Sequence, residues 1–296
     1  MSQNPRQSVW RGGYPLWLVS DTAFELTSAL VGFVIPLLAL MVTDDPALAG
    51  IIGGVGLAVR VVASLVGGVL ADRHSRVLLM VLGALVGLLL AAVFTALTVG
   101  QWLTFSTLLA LNVGFAVRNG LFGAPNQAAL KDVVPDSALG RAQAANQGRD
   151  AVIGLGGAPL GGLLLGIGAP VVGVAMILCQ AVAAASASVL SRRVAPFVAP
   201  ERAPDSRFLR ELSDGFRWVF SRPDLKGSLV VSTLVNLGFN ASIITIIYSL
   251  QQAGSSPATI GLVSGGLGVG MLLGRRSRRS WCRGSGQAGS ASAGLY

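Results

Sequence analysis

The sequence predicts an all-α integral membrane protein with about eight transmembrane helices. Hydrophobic residues make up 52% of its 296 residues, charged residues make up 12%, and the mean hydropathy is +0.68. This composition is unlike that of a soluble domain. The apolar runs are about twice as long as the strands of a membrane β-barrel and lack their strict alternation, which favours helices.

The spans can be located by the polar interruptions between apolar runs. A bilayer core of about 30 Å needs roughly 20 apolar residues per helical crossing. The predicted spans cover residues 16–42, 47–71, 77–99, 102–126, 150–167, 171–191, 227–250 and 257–274. Asp21 and Glu25 interrupt the first run, which is also longer than the apolar core of a signal peptide, so we expect this span to be retained.

The basic residues fall on one side of the predicted membrane. With the amino terminus inside, every Lys and Arg lies in an inner segment or a span, and none lies in the outer turns 43–46, 100–101, 166–170 and 251–257. This pattern satisfies the positive-inside rule and explains the net charge of +9 without nucleic-acid binding. We expect a multi-pass protein of the inner (plasma) membrane with both termini in the cytoplasm.

Polar segments divide the chain into five parts. These are a cytoplasmic amino terminus (1–15), six spans (16–191), a basic linker (192–226), two further spans (227–274) and a Ser/Gly/Arg-rich tail (275–296). Apolar linker residues such as Phe208, Leu212 and Phe216 recur at helical spacing. They predict an amphipathic helix that lies either on the inner leaflet or against the bundle. The tail is predicted to be disordered, or to be out-of-frame translation of a truncated gene.

Four charged residues fall inside predicted spans, where an ionisable group costs several kcal/mol unless it meets a partner or a cavity. They are Asp21, Glu25, Arg60 and Arg118. At about 1.5 Å per residue, the last three lie roughly 12 to 17 Å from the inner ends of their helices and could meet. One hypothesis is that Glu25 or Asp21 exchanges a proton while the arginines alternate as its ion partners. The alternative is a permanent buried ion pair that fixes helix register.

The turn between the second and third spans, GGVLADRHSRVLLM (67–80), concentrates charge between two apolar runs. Gly68 would permit close helix approach, and Asp72, Arg73 and Arg76 could pair with other charges or with lipid phosphates. The turn could also serve only as a topogenic positive loop. In the fifth predicted span, small residues and a proline could allow close, changeable packing, or simply generic packing. The residues concerned are Gly154, Gly157, Pro159, Gly161 and Gly162.

These motifs resemble those of the major facilitator superfamily, and most closely its bacterial drug-efflux branch of macrolide- and siderophore-exporter-like members. Residues 68–76 resemble its G-x-L-A-D-R-x-G-R-[KR] turn, with Ser75 in place of a glycine, and residues 154–162 resemble its antiporter motif, with Pro159 one place late. The resemblance implies a complete six-helix amino-terminal half and the first two helices of a second half. It also implies that the turn latches the cytoplasmic side closed.

The predicted function is therefore proton-coupled efflux of drug-like or other small amphipathic molecules by alternating access. A substrate cavity could be lined by aromatic and amide side chains, which could equally be packing residues: Phe24, Phe33, Phe115, Phe122, Asn119, Asn236, Phe239 and Asn240. The alternative is a truncated, non-transporting membrane remnant or a partner-binding membrane protein. No enzyme chemistry, cofactor or metal site is predicted, because His74 is the only histidine and the two cysteines have no ligand spacing. The expected partners are the bilayer, a small-molecule substrate and the proton.

Overall fold

The computed structural model of the chain describes residues 13–193, 217 and 221–266. In this part of the chain every regular element is a helix. The helices are α1 (Tyr14–Thr43), α2 (Pro46–Arg73), α3 (Arg76–Val99), α4 (Phe105–Ala128), α5 (Leu130–Val133), α6 (Asp136–Ile167), α7 (Ala169–Ser191) and α8 (Pro223–Gln252). Residues 257–266 are also helical.

Among the described residues, six helical segments are long and apolar enough to cross a membrane: α1, α2, α3, α4 with α5, α6 and α7. Each overlaps one of the first six predicted spans. Helix α8 covers the predicted seventh span and residues 257–266 open the predicted eighth, so the count of eight crossings stays a prediction. The predicted linker helix around residues 208–216 and the tail 275–296 lie outside the described residues.

Local capping chemistry sets the ends of several helices. Asp45 precedes α2, and its side chain accepts a hydrogen bond of 2.7 Å from the backbone N–H of Ala47. Ser75 caps α3 in the same way, and Thr104 with Thr107 forms a capping box at the start of α4. A side-chain oxygen at these positions satisfies N–H groups that have no partner within the helix.

Helix α6 begins earlier than the sequence predicts. The apolar run starts at residue 150, yet the helix starts at Asp136, directly after Pro135. Its 32 residues would extend about 48 Å, well beyond a bilayer core of about 30 Å. The predicted span 150–167 lies within this helix, and the helix begins about four turns before it, because hydropathy marks the apolar run and not where backbone hydrogen bonds begin.

Helix α1 occupies the centre of the bundle and packs on α2, α4, α6 and α7. Around it, α2 packs extensively on α4, and α3 packs on α7. The larger apolar core lies toward the end of the bundle where α1 finishes, and includes Leu30, Ile35, Phe94 and Met176. A second core toward the opposite end surrounds Tyr14 and Trp17.

Glycines allow α2 and α4 to approach closely. A Cβ at Gly67 would lie 2.7 Å from the carbonyl oxygen of Leu121, and one at Gly120 would lie 2.7 Å from the carbonyl oxygen of Arg60. A Cβ at Gly68, by contrast, would meet nothing within 4 Å. The expectation that Gly68 provides a close helix contact is therefore wrong for the helices described, and its neighbour Gly67 provides it.

Candidate functional site

Glu25 borders a polar cavity between α1, α2 and α4. The cavity has a volume of about 190 Å³, and Phe24 and Ser28 of α1, Arg60 and Ser64 of α2, and Asn119 and Gln127 of α4 are among its lining residues. The three small residues Gly120, Gly123 and Ala124 form the α4 wall and leave its backbone close to the space. We name this space the Glu25–Arg60 cavity.

A second polar cavity adjoins it on the side where α1 and α6 begin. This vestibule measures about 320 Å³, and it shares Glu25 and Gln127 with the Glu25–Arg60 cavity. Helix α6 contributes a polar wall of Gln143, Asn146, Gln147, Arg149 and Asp150, and α1 contributes Trp17 and Asp21. The early start of α6 therefore supplies much of the polar surface of the vestibule.

Arg60 lies in the middle of α2 and is exposed. Among the described residues, neither Glu25 nor any other carboxylate lies within 4.0 Å of its guanidinium. The structure therefore brings Glu25 and Arg60 to the same cavity, as their predicted depths require, but does not join them as an ion pair.

Arg118 of α4 is enclosed by neutral groups of α1, α3 and α7 and of its own helix. Its guanidinium donates to the carbonyl oxygen of Gly83 (3.0 Å), to Asn119 Oδ1 (3.0 Å) and to Gln180 Oε1 (2.9 Å), and the side chain is 0% exposed. The Phe24 ring lies beneath it, with 3.7 Å from Cζ to the ring centroid. Arg118 is thus hydrogen-bonded without a carboxylate partner in the described part of the chain.

The hydrogen bonds of Arg118 continue to α1 through Gln180 on α7. Gln180 Nε2 donates to Thr27 Oγ1 (2.7 Å), and the Thr27 hydroxyl donates to the carbonyl oxygen of Ala23 (3.0 Å). Gly87 of α3 makes room for this network, because a Cβ there would lie 2.6 Å from Gln180 Oε1 and 2.8 Å from Arg118 Nε. We call these residues the Arg118 network.

Asp21 pairs with Arg149 and not with either predicted arginine. Arg149 Nη2 lies 2.5 Å from Asp21 Oδ2 and 2.7 Å from Asp150 Oδ1, and Nη1 donates to the Thr22 hydroxyl at 3.3 Å. Asp21 is 2% exposed. The pair joins α1 to α6 close to Trp17, whose indole N–H donates to the carbonyl oxygen of Asn126. Asp21 therefore already has an ion-pair partner, which it shares with Asp150, whereas Glu25 has none among the described residues.

The charged turn lies between α2 and α3, but more of it is helical than the sequence predicts. Asp72 and Arg73 belong to the last turn of α2, and only His74 and Ser75 separate the two helices. Arg76 Nη1 pairs with Asp132 Oδ1 of α5 at 2.9 Å, which links the turn to the segment after α4. Asp72 and Arg73 are exposed.

The glycine motif of α6 faces two neighbours. A Cβ at Gly157 would lie 2.7 Å from the Ala29 Cβ, and one at Gly161 would lie 3.0 Å from the Phe33 ring, so both face α1. Gly162 and Pro159 face the helical residues 257–266 instead, where Gly162 approaches the backbone of Gly261. Gly154 meets nothing within 4 Å, so it has no close-packing role among the described residues.

Only part of the predicted cavity lining faces the cavity. Phe24 and Asn119 line it, whereas Phe33 and Phe115 belong to the apolar core and Phe122 packs against Leu79. The side chains of Asn236, Phe239 and Asn240 lie outside the described residues. For Phe33, Phe115 and Phe122, the alternative of packing residues fits, because each lies in a buried apolar cluster of the described helices.

Sequence reasoning did not select Arg149 or Gln180 as site residues. Arg149 stands one residue before the apolar run of α6, so the sequence places it in the inner connection. Gln180 is uncharged and therefore does not stand out as the four charged residues within spans do. A signal for it was available, since an uncharged but strongly polar side chain in an apolar span must also find a partner.

The long apolar helices of the described part of the chain are those of a multi-pass membrane protein. The model of the Major Facilitator Superfamily matches residues 22–295 of the chain. The protein therefore belongs to the Major Facilitator Superfamily, whose members are transmembrane transporters and not enzymes. No curated protein matches the sequence significantly.

Proposed function

We propose that the protein exports drug-like or other small amphipathic molecules across the inner membrane by proton-coupled alternating access, with both termini in the cytoplasm. The observation that carries this proposal is the position of Glu25. It is a carboxylate without an ion-pair partner among the described residues, and it borders both the cavity and the vestibule. A carboxylate placed in this way can bind either a proton or a substrate group.

Glu25 is a better candidate for the proton carrier than Asp21. Asp21 is 2% exposed and Arg149 lies 2.5 Å from it, so it already has an ion-pair partner. Glu25 is half-buried, and the same cavity holds Arg60. Proton binding at Glu25 would change the charge of the cavity by one unit. A substrate group that binds the ionised carboxylate and a proton would therefore compete for Glu25.

The arginines have different proposed roles. Arg60 shares the cavity with Glu25, and its guanidinium can donate hydrogen bonds to a solute bound there. Arg118 fixes Asn119, whose Oδ1 accepts from both Arg118 and the Ser28 hydroxyl (3.1 Å). The oxygen of this amide is thereby engaged, and we propose that its nitrogen donates to a solute in the cavity.

Two motifs support transport by alternating access. Gly68, Asp72, Arg73 and Arg76 match the family's cytoplasmic gating turn, and Arg76 holds this turn to α5 through Asp132. The glycine motif of α6 places Gly162 and Pro159 against residues 257–266, where small residues permit one helix to shift against another. We propose that these contacts change between the inward-open and outward-open states.

The test is pH-gradient-driven efflux of a panel of fluorescent drugs from proteoliposomes that contain the full chain. Glu25→Gln should abolish proton-driven efflux, and Asp72→Asn should slow it strongly through the gate. Asp44→Asn is the matched control, because Asp44 lies in the turn after α1 at φ 50°, a conformation that Asn also tolerates. Efflux by Glu25→Gln at the rate of the unmodified chain would refute the proposal.

A further inference from the structure

The Glu25–Arg60 cavity holds two opposite charges that do not neutralise each other. Both side chains line the same space, yet they lie more than 4.0 Å apart. A charge at this depth of a membrane protein is costly unless a partner, water or a ligand meets it. A solute with a single charge would neutralise one of these residues and leave the other without a partner.

We infer that this cavity binds the zwitterionic group of a small solute, an ammonium and a carboxylate a few bonds apart. The ammonium would meet Glu25 and the carboxylate would meet Arg60, whose planar guanidinium suits bidentate carboxylate binding. Each charge of the solute would then meet an opposite charge of the protein, so neither Glu25 nor Arg60 would lack a partner in the occupied cavity. This inference rests on the proposed transport function and narrows its substrate class.

The neutral lining suits the same ligand. Ser28 and Ser64 offer hydroxyl oxygens, and Gln127 offers an amide. Asn119 has its oxygen engaged by Arg118 and Ser28, so its amide nitrogen can donate to a carboxylate. Such a mixture of donors and acceptors around two charges is a poor match for an apolar ring system and a good one for a polar head group.

The volume of the cavity suits a small polar group. About 190 Å³ is below the roughly 300 to 1,000 Å³ of drug-sized pockets. It is enough for the head group of an α-amino acid or a short peptide. A side chain could extend into the adjoining vestibule past Glu25 and Gln127, where Trp17 and Leu130 provide apolar surface.

The experiment measures binding by ligand-induced thermal stabilisation of the purified full chain. Alanine, leucine and phenylalanine would each be tested as the free amino acid, as the cationic amide and as the anionic N-acetyl acid, so that only the charges differ. In at least one series the free amino acid should bind about tenfold or more tightly than either single-charge form, because a charge-assisted hydrogen bond is lost in each.

The variants assign the charges. Glu25→Gln should remove the preference over the N-acetyl acid, and Arg60→Gln should remove the preference over the amide. Arg60→Lys keeps the charge and should retain part of the preference. This variant tests the role of Arg60 even if Arg60→Gln folds poorly. Asp44→Asn and Arg141→Gln change exposed or turn charges of the same kinds outside the cavity and should leave the preference intact.

Binding of the cationic amides as tightly as the amino acids in every series would overturn the inference, as would a preference that survives both cavity variants. Absence of binding by all three amino acids would do so too. A parallel transport assay separates the two proposals. Proton-driven efflux of the amides alone would support the transport function and refute zwitterion binding. Amino-acid binding without proton-driven efflux would support zwitterion binding and refute the transport function.

Discussion

Arg118 and Arg60 lie on adjacent packed helices, and their surroundings are opposite. Arg118 is 0% exposed, donates to three acceptors and stacks on Phe24. Arg60 is exposed, has no carboxylate within 4.0 Å in the described part of the chain, and borders a cavity. Identical side chains therefore serve two purposes: the Arg118 network holds helices together, while the Glu25–Arg60 cavity keeps its charges available.

The largest expected effect concerns the Arg118 network. Arg118→Met should lower the free energy of unfolding by about 4 kcal/mol, because the acceptors on Gly83, Asn119 and Gln180 lose their donor in a buried site. Arg60→Met should change it by less than about 0.5 kcal/mol, as is usual for exposed positions. Unfolding by SDS in mixed micelles measures both. An equal decrease in the free energy of unfolding of the two variants would contradict the claim that the Arg118 network stabilises the fold and that Arg60 does not.

The next effect concerns the ion pair of α1 and α6. Arg149→Gln should cost about 3 kcal/mol, since it leaves Asp21 buried without compensation. Asp150→Asn is the control: its side chain is 50% exposed and its pair with Arg149 should contribute at most about 1 kcal/mol. In a double-mutant cycle, Asp21→Asn with Arg149→Gln should cost clearly less than the sum of the single changes. Strict additivity would mean that Asp21 does not depend on Arg149.

A smaller effect should separate two adjacent glycines. Gly67→Ala should lower the free energy of unfolding by about 2 kcal/mol, because its methyl group would overlap the backbone of Gly120 and Leu121 on α4. Gly68→Ala meets open space and should be neutral or slightly stabilising, since alanine is the better helix former. The same SDS titration applies. A larger loss at Gly68 would show that a surface beyond the described helices packs there.

The sequence predicts the helices well where an apolar run and a helix have the same ends. For α3 the predicted span 77–99 and the observed helix Arg76–Val99 nearly coincide, because Ser75 and Gly100 end both the apolar run and the helix. For α6 they differ, because its first turns are polar and lie beyond the lipid. The vestibule could not be anticipated for the same reason, since its α6 wall belongs to this polar extension.

The charged residues of the site were predictable, but their partners were not. Asp21, Glu25, Arg60 and Arg118 stand out because charges are rare inside apolar runs. Which charge meets which depends on the rotation of each helix about its axis, and glycines such as Gly87 set that packing in detail. Depth along the helix predicts that Glu25, Arg60 and Arg118 could meet, and the first two line one cavity. Depth could not show that Asp21 faces Arg149.

The most direct test of the comparison is whether the Glu25–Arg60 cavity contains water. Three single cysteines would be introduced in a background with Cys179 and Cys282 replaced. Ser64→Cys is at the cavity, Leu89→Cys is at a position that is 63% exposed on the outer face of α3, and Ser20→Cys is at a position that is 2% exposed. A charged thiol reagent reacts with the thiolate form of cysteine. Water is needed both for the thiol to ionise and for the reagent to reach it. The reagent should therefore label Ser64→Cys in membranes much faster than either of the other two. Labelling of Ser64→Cys as slow as that of the lipid-facing Leu89→Cys would contradict the existence of an open polar site.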